Sequence, residues 1–83
     1  MAEELIGKVN HWFGKINVAG IELTDDLAVG DHIHFLGHTT DFEQEVTSMQ
    51  ILHQNVKLAT CGDSVGVKVR FRVRPGDHVY KVT

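Results

Sequence analysis

The sequence of 83 residues contains one cysteine, and this shortage excludes two ways of stabilising a small domain. Cys61 has no partner for a disulfide within the chain. One thiol also cannot supply the usual ligand set of a structural zinc ion. Disulfides form and persist in oxidising compartments, so a chain without them is most simply explained as a cytoplasmic protein.

Long apolar runs are also missing. No run approaches the roughly 20 residues of a membrane helix. The first residues, MAEELIGKV, have neither the basic region nor the apolar region of a signal peptide. We therefore expect no membrane segment and one small domain, residues 1–83, with its core between residues 5 and 82. A chain of this length buries only about 60% of its unfolded surface, so the core is thin.

The net charge of −3 conceals an uneven distribution of charge along the chain. Residues 1–48 contain nine acids and two lysines, a balance of −7, whereas residues 49–83 contain six bases and two acids, a balance of +4. The whole chain is therefore not expected to attract nucleic acid, but one part of its surface could.

Short segments rich in valine, isoleucine and phenylalanine alternate with glycines, and no helix of normal length is evident. The pattern predicts an all-β sandwich or barrel. In the fourth predicted strand the apolar positions change phase between Val46 and Met49, which indicates a bulge near residues 47–48. The predicted strands span residues 5–13, 16–23, 31–37, 42–52, 64–71 and 78–82.

A Gly-Asp pair precedes an apolar strand residue three times, in VGDHI, CGDSV and PGDHV. Glycine adopts the positive φ that tight turns require, and aspartate accepts hydrogen bonds from nearby backbone N–H groups. We therefore interpret Asp31, Asp63 and Asp77 as turn residues and not as catalytic carboxylates.

An ordered set of motifs resembles the second domain of translational GTPases such as elongation factor Tu, and small stand-alone proteins related to it. The stretch GHTTDFEQEVTSMQI, residues 37–51, also resembles a barrel that is appended to the C-terminus of collagenase-like peptidases. The resemblance covers about residues 5–82. Its motifs are IGKV (6–9), LAVGDHIHFLG (27–37), EVTSMQI (45–51), LATCGDSVGVKV (58–69) and RPGDHVYKV (74–82).

The resemblance implies a closed antiparallel β-barrel of six to seven strands. It does not imply GTP hydrolysis, because the chain lacks the G-x-x-x-x-G-K-[ST] loop that holds phosphates. The peptidase domain of the appended form is missing as well. We therefore expect no bound nucleotide, no cofactor and no enzymatic activity.

Three histidines lie close together in the third predicted strand and the turn after it. Ile33 and Phe35 share one face of that strand, so His32 and His34 occupy the other, outer face, about 6.8 Å apart. With His38 they form a candidate metal site, although no carboxylate or thiolate is required by the pattern to join them. Exposed strand positions are the simpler interpretation, and a pH-sensitive contact surface is a further one.

The segment VKVRFRVR, residues 67–74, alternates apolar and basic side chains. The alternation predicts that Val67, Val69, Phe71 and Val73 face the core and that Lys68, Arg70, Arg72 and Arg74 form a row on the outer face. Either these cations pair with acids on neighbouring strands, such as Glu22, Glu43 or Glu45, or they form a binding surface for RNA phosphates or an acidic protein.

Three hypotheses of function follow. The first is a non-catalytic, translation-factor-like module that contacts RNA or a ribosome-associated protein through the basic row, with Trp12 as a possible stacking residue. The second is a protein-interaction subunit or accessory domain that partners a separately encoded enzyme. The third is a metalloenzyme that uses His32, His34 and His38. The sequence favours the first narrowly over the second.

Overall fold

A computed structural model describes residues 2–83, which form ten strands. Every ladder between them is antiparallel, which confirms the predicted all-β antiparallel fold class. Residues 2–83 include no helix that is long and apolar enough to cross a membrane. The strands are β1 (Glu3–Phe13), β2 (Val18–Leu23), β3 (Leu27–Ala28), β4 (His32–Leu36), β5 (Asp41–Glu45), β6 (Met49–Ile51), β7 (Gln54–Val56), β8 (Leu58–Ala59), β9 (Ser64–Lys68) and β10 (His78–Val82).

Eight of the strands form one sheet in the order β5-β4-β10-β1-β2-β9-β6-β7, and β3 pairs with β8 in a second, two-stranded sheet. The predicted strand number was too low, because the short strands β3, β7 and β8 lack a run long enough to stand out in the sequence. Within residues 2–83 no backbone ladder joins β5 to β7 or to β9. Backbone pairing therefore does not itself close the sheet into the predicted barrel.

The side chain of Gln44 in β5 connects that edge strand to the end of β9. Its Nε2 donates a hydrogen bond to the carbonyl oxygen of Lys68 at 2.8 Å, and its Oε1 accepts one from the backbone N–H of Arg70 at 3.0 Å. One buried amide thus makes the two bonds that an adjacent strand would otherwise supply.

The fourth predicted strand is interrupted, and the predicted bulge at residues 47–48 is wrong. β5 ends at Glu45 and β6 begins at Met49. Between them, the Val46 N–H donates to the Asp31 carbonyl and the Val46 carbonyl accepts from the Gly30 N–H, both at 2.8 Å. Val46 is thereby bonded to the turn before β4. Its apolar side chain is buried in the core, and the alternation of apolar positions starts again after this break.

The three Gly-Asp turns have a common geometry, as predicted. Their glycines have φ angles of 99°, 93° and 99° at positions 30, 62 and 76. In each turn the aspartate Oδ2 accepts a hydrogen bond from the N–H three residues before it, over 2.9, 2.9 and 2.8 Å. Asp31, Asp63 and Asp77 therefore complete turns at the starts of β4, β9 and β10.

The core is formed by the alternating apolar positions of the sheet. In β4, Ile33 and Phe35 are fully buried, while His32 is exposed, as the alternation predicts. Gly7 in β1 allows a close approach to β2, since a Cβ at this position would lie 2.7 Å from the carbonyl oxygen of Glu22. The buried apolar residues are Ile6, Val9, Ala19, Ile21, Leu23, Leu27, Ile33, Phe35, Val46, Met49, Ala59, Val65, Val67, Val69, Val73 and Val79.

Candidate docking surface

The basic side chains of residues 68–74, the cationic segment, all point to solvent but do not lie along one strand. β9 ends at Lys68, so the predicted continuation of this strand to residue 71 is wrong. Residues 70 and 71 form a bend, and irregular backbone follows to residue 74. Lys68, Arg70, Arg72 and Arg74 are all exposed. The predicted outer position is therefore correct, while the predicted straight row is not.

Phe71 does not face the core, which is a second correction in this segment. Val67, Val69 and Val73 are buried as predicted, but Phe71 is 59% exposed. Its ring packs edge-on against Phe42, with 5.2 Å between the ring centroids. The bend that ends β9 breaks the two-residue period, so an aromatic side chain lies at the surface between two arginines.

No basic side chain of the cationic segment forms an ion pair with an acid in residues 2–83. The ion pairs present there involve His32, His34 and Lys81 instead. Glu43, one of the predicted partners, bonds His32 Nε2 at 2.9 Å. The cationic segment is thus a patch of uncompensated positive charge, and such patches attract anionic partners.

A groove beside the cationic segment has an apolar lining. Gly20 of β2 and Gly66 of β9 face each other in the ladder and form its floor. Phe13, Ile16 and Val18 line one part of it, and the β6–β7 hairpin with Leu52 lines another, around a volume of about 290 Å³. We call this feature the apolar groove. Sequence patterns missed it, although a glycine inside a strand often marks a place where another group approaches closely.

The histidines of β4 form hydrogen bonds with carboxylates. The Nδ1 of His34 lies 2.9 Å from Glu3 Oε1, and its Nε2 lies 2.5 Å from Asp41 Oδ1. Both ring nitrogens donate when the imidazole is protonated, so this geometry favours the charged form. His34 therefore connects β1, β4 and β5 on the outer face of the sheet.

Protonation of His34 is favoured in the folded protein. The hydrogen bonds with Glu3 and then Asp41 raise the pKa of His34 above its ordinary value of 6.5, against a smaller opposing effect of burial. A group whose pKa is raised by folding stabilises the fold fully below its unfolded pKa. That stabilisation is lost as the pH rises through the folded-state pKa.

We expect the His34→Gln variant to be less stable than wild type in mild acid and to approach it in stability as the pH rises. Urea denaturation between about pH 6 and about pH 8.5 measures this difference across the range in which histidine titrates. Glu3, Asp41 and Tyr80 are the titratable groups that contact the His34 ring. The matched control is His32→Gln, because His32 is exposed and bonds only Glu43. If the difference in stability between His34→Gln and wild type were constant across the pH range, the raised pKa of His34 would not be its cause.

The candidate metal site of His32, His34 and His38 is not assembled. In the part of the chain that the structure describes, no three side chains among histidines, cysteines and acids come together to hold a metal ion. His38 is exposed in the turn after β4. Cys61 is an exposed free thiol in the second Gly-Asp turn, and Trp12 packs partly buried against the core.

The chain is similar to segments of two curated peptidase-type proteins. It is 49% identical over 76 residues to an uncharacterized protease of Methanocaldococcus jannaschii, a match that covers 90% of the chain and 19% of that protein. It is 33% identical over 78 residues to a collagenase of Porphyromonas gingivalis, a match that covers 92% of the chain and 22% of that protein. The chain thus spans about a fifth of the length of these relatives. No family model matches it.

Solved structures show the same fold. The C-terminal domain of a Geobacillus thermoleovorans protein named as a U32 peptidase matches with a TM-score of 0.90 over 96% of the chain and 93% of that domain, at 19% identity. A selenomethionine variant of that domain matches with a TM-score of 0.87 over 92% of the chain and 96% of that domain. At this identity the likeness concerns the fold alone.

These findings overturn the predicted function in translation. The relatives are named as a protease and a collagenase, not as translation factors or RNA-binding proteins. The predicted resemblance to collagenase-like peptidases is confirmed, whereas the resemblance to elongation factor Tu is not supported. The relatives therefore do not support RNA or the ribosome as the partner of the cationic segment.

Proposed function

We propose that this chain is a non-catalytic accessory domain of a peptidase-type enzyme and that it docks against the catalytic part of such an enzyme. The observation that carries this proposal is the extent of the match. The archaeal protease is 49% identical over 90% of the chain, yet the matched segment is only 19% of its length. A segment that matches almost the whole of a small fold inside a much longer protein is typical of a module.

The chemistry of the described residues supports a role in binding. Both ring nitrogens of His34 are bonded to carboxylates, so this imidazole lacks the free lone pair of a general base. Cys61 lies in an exposed turn. The unpaired cations and the apolar groove, in contrast, have the composition of a protein interface. A cytoplasmic location is part of the proposal, and the unpaired thiol of Cys61 supports it.

The test uses the archaeal protease without the segment that matches this chain. We expect the chain, added in trans, to form a saturable one-to-one complex with that remainder in sedimentation velocity and calorimetric titration. The chain alone is expected to hydrolyse neither casein nor gelatin. The chain and the excised segment of the protease must both be folded, so circular dichroism of the two is the control.

Two results would contradict the proposal. Absence of a complex at concentrations well above about 100 μM would reject docking, because weaker contacts are in the range of non-specific association. Hydrolysis by the purified chain alone, if it persisted through a second purification method, would reject the non-catalytic role.

A further inference from the structure

The apolar groove is a depression in the outer face of the sheet where side chains are missing. The ladder registers place Gly20 opposite His11 of β1 on one side and opposite Gly66 of β9 on the other. Gly66 in turn lies opposite Gln50 of β6. A Cβ at Gly20 would lie 3.0 Å from the Asn10 side chain, and one at Gly66 would lie 3.1 Å from the Val18 side chain. The floor is therefore bare backbone between side chains that stand higher.

The walls of the groove present apolar side chains to water. Phe13 is 45% exposed and Ile16 is 57% exposed, on the β1–β2 hairpin. Leu52, on the β6–β7 hairpin, is 89% exposed. Three large apolar residues around one depression form a patch of the kind that marks interaction sites, whereas isolated exposed apolar residues do not.

The turn that presents Leu52 is unfavourable for the residues it contains. Leu52 and His53 form a two-residue connection between β6 and β7, with φ angles of 52° and 65°. Two positive φ angles are the requirement of a type I′ turn, for which Asn-Gly is strongly preferred. A leucine in this conformation costs stability and gains no burial in the isolated domain. Strain of this kind is commonly found where a side chain has a functional position.

The charges around the groove select the chemistry of its occupant. No acid from the described residues lines it, although the chain contains 11 acids. A smaller neighbouring depression shares Ile16, Val18, Gln50 and Gly66 with the groove and includes Lys68, the first residue of the cationic segment. An apolar floor that leads to uncompensated cations is complementary to an apolar residue followed by carboxylates.

We propose that the apolar groove binds an extended, acidic segment of the catalytic part of the peptidase. One apolar side chain of that segment lies over Gly20 and Gly66 and contacts Phe13 and Leu52. Its carboxylates lie beside Lys68 and Arg70. This inference rests on the proposed function and adds the surface and the chemistry of the partner.

The main test separates binding from stability. The double variant Leu52→Asn with His53→Gly installs the preferred type I′ dipeptide and removes the exposed leucine. We expect its melting temperature to rise by roughly 5 °C. Its affinity for the protease remainder is expected to fall by about tenfold or more, as for loss of an interface anchor. If these residues had only a structural role, a variant with a higher melting temperature would not bind the protease remainder more weakly.

A separate variant tests the proposed contact between carboxylates of the partner and the cationic segment. Lys68→Glu is expected to weaken binding by about tenfold and to reduce the dependence of affinity on salt. The matched controls are Leu58→Asn and Lys57→Glu, because both residues are exposed and lie outside the groove. Both controls are expected to bind like wild type. Hydrogen exchange of the protease remainder should show protection of a segment with net negative charge and at least one large apolar residue.

The outcomes distinguish the two proposals. If wild type binds and the groove variants bind equally well, or weaken no more than the controls, the groove assignment is wrong and the docking function stands. If hydrogen exchange instead shows protection of a basic or wholly polar segment of the protease remainder, the groove assignment is likewise wrong and the docking function stands. If wild type does not bind the protease remainder, the docking function fails and the groove assignment fails with it.

Discussion

Replacement of Gln44 by alanine is expected to lower the free energy of unfolding by about 2–3 kcal/mol, a large part of the total for a domain of this size. The alanine removes both hydrogen bonds that link β5 to the end of β9. The Lys68 carbonyl and the Arg70 N–H then lack their partner in a partly buried place. Each group left without a partner costs more than the bond contributed, because water does not fully replace the amide.

Urea denaturation with a two-state fit measures this loss, and Gln54→Ala is the matched control because Gln54 is exposed on β7. Hydrogen exchange gives a local readout, since the Arg70 amide should exchange faster in Gln44→Ala. Gln44→Glu provides a further check. Its ionised carboxylate accepts from Arg70 but cannot donate to Lys68, so stability should be regained as acid protonates it. A loss below about 0.5 kcal/mol, equal to that of an ordinary surface change, would contradict the role of Gln44.

The parts of this fold that sequence predicts well are those that depend on neighbours along the chain. The Gly-Asp turns follow from a glycine with positive φ and an aspartate that bonds the N–H three residues earlier, so the motif itself contains the geometry. The outward position of His32 likewise follows from the strand period alone. Such motifs determine turns that many folds use, however, and they carry no information about a partner. The mistaken assignment to translation arose from this difference between fold and function.

The parts that sequence does not predict depend on residues far apart in the chain. At the end of β9, Gln44, 24 residues earlier, bonds the Lys68 carbonyl oxygen that a neighbouring strand would otherwise bond. The exposure of Phe71 follows from the same bend, which a two-residue pattern cannot reveal. The apolar groove requires Gly20 and Gly66 to pair, and that register emerges only when β2 and β9 meet.

Gly37→Ala is the second change with a large expected effect, a loss of about 2–3 kcal/mol in the free energy of unfolding from overpacking. A Cβ at position 37 would lie 1.9 Å from Asp77 Oδ1 and 2.5 Å from Asp77 Cγ. Asp77 cannot move away freely. It is only 5% exposed, and its Oδ2 accepts the hydrogen bond from the Arg74 N–H that completes the third Gly-Asp turn.

A double-mutant cycle separates this clash from a general effect of glycine. Asp77→Ala alone is expected to cost about 1 kcal/mol through the lost turn bond. In the Asp77→Ala background the new methyl group has room, so Gly37→Ala should then cost less than about 0.5 kcal/mol. The resulting coupling of about 2 kcal/mol would show that the two residues share one space. Additive losses would instead mean that the alanine acts through the backbone of the β4–β5 turn, where the Gly37 N–H donates to the Thr40 carbonyl. Because Asp77 also holds the backbone of Arg74, the clash is expected to loosen the end of the cationic segment as well.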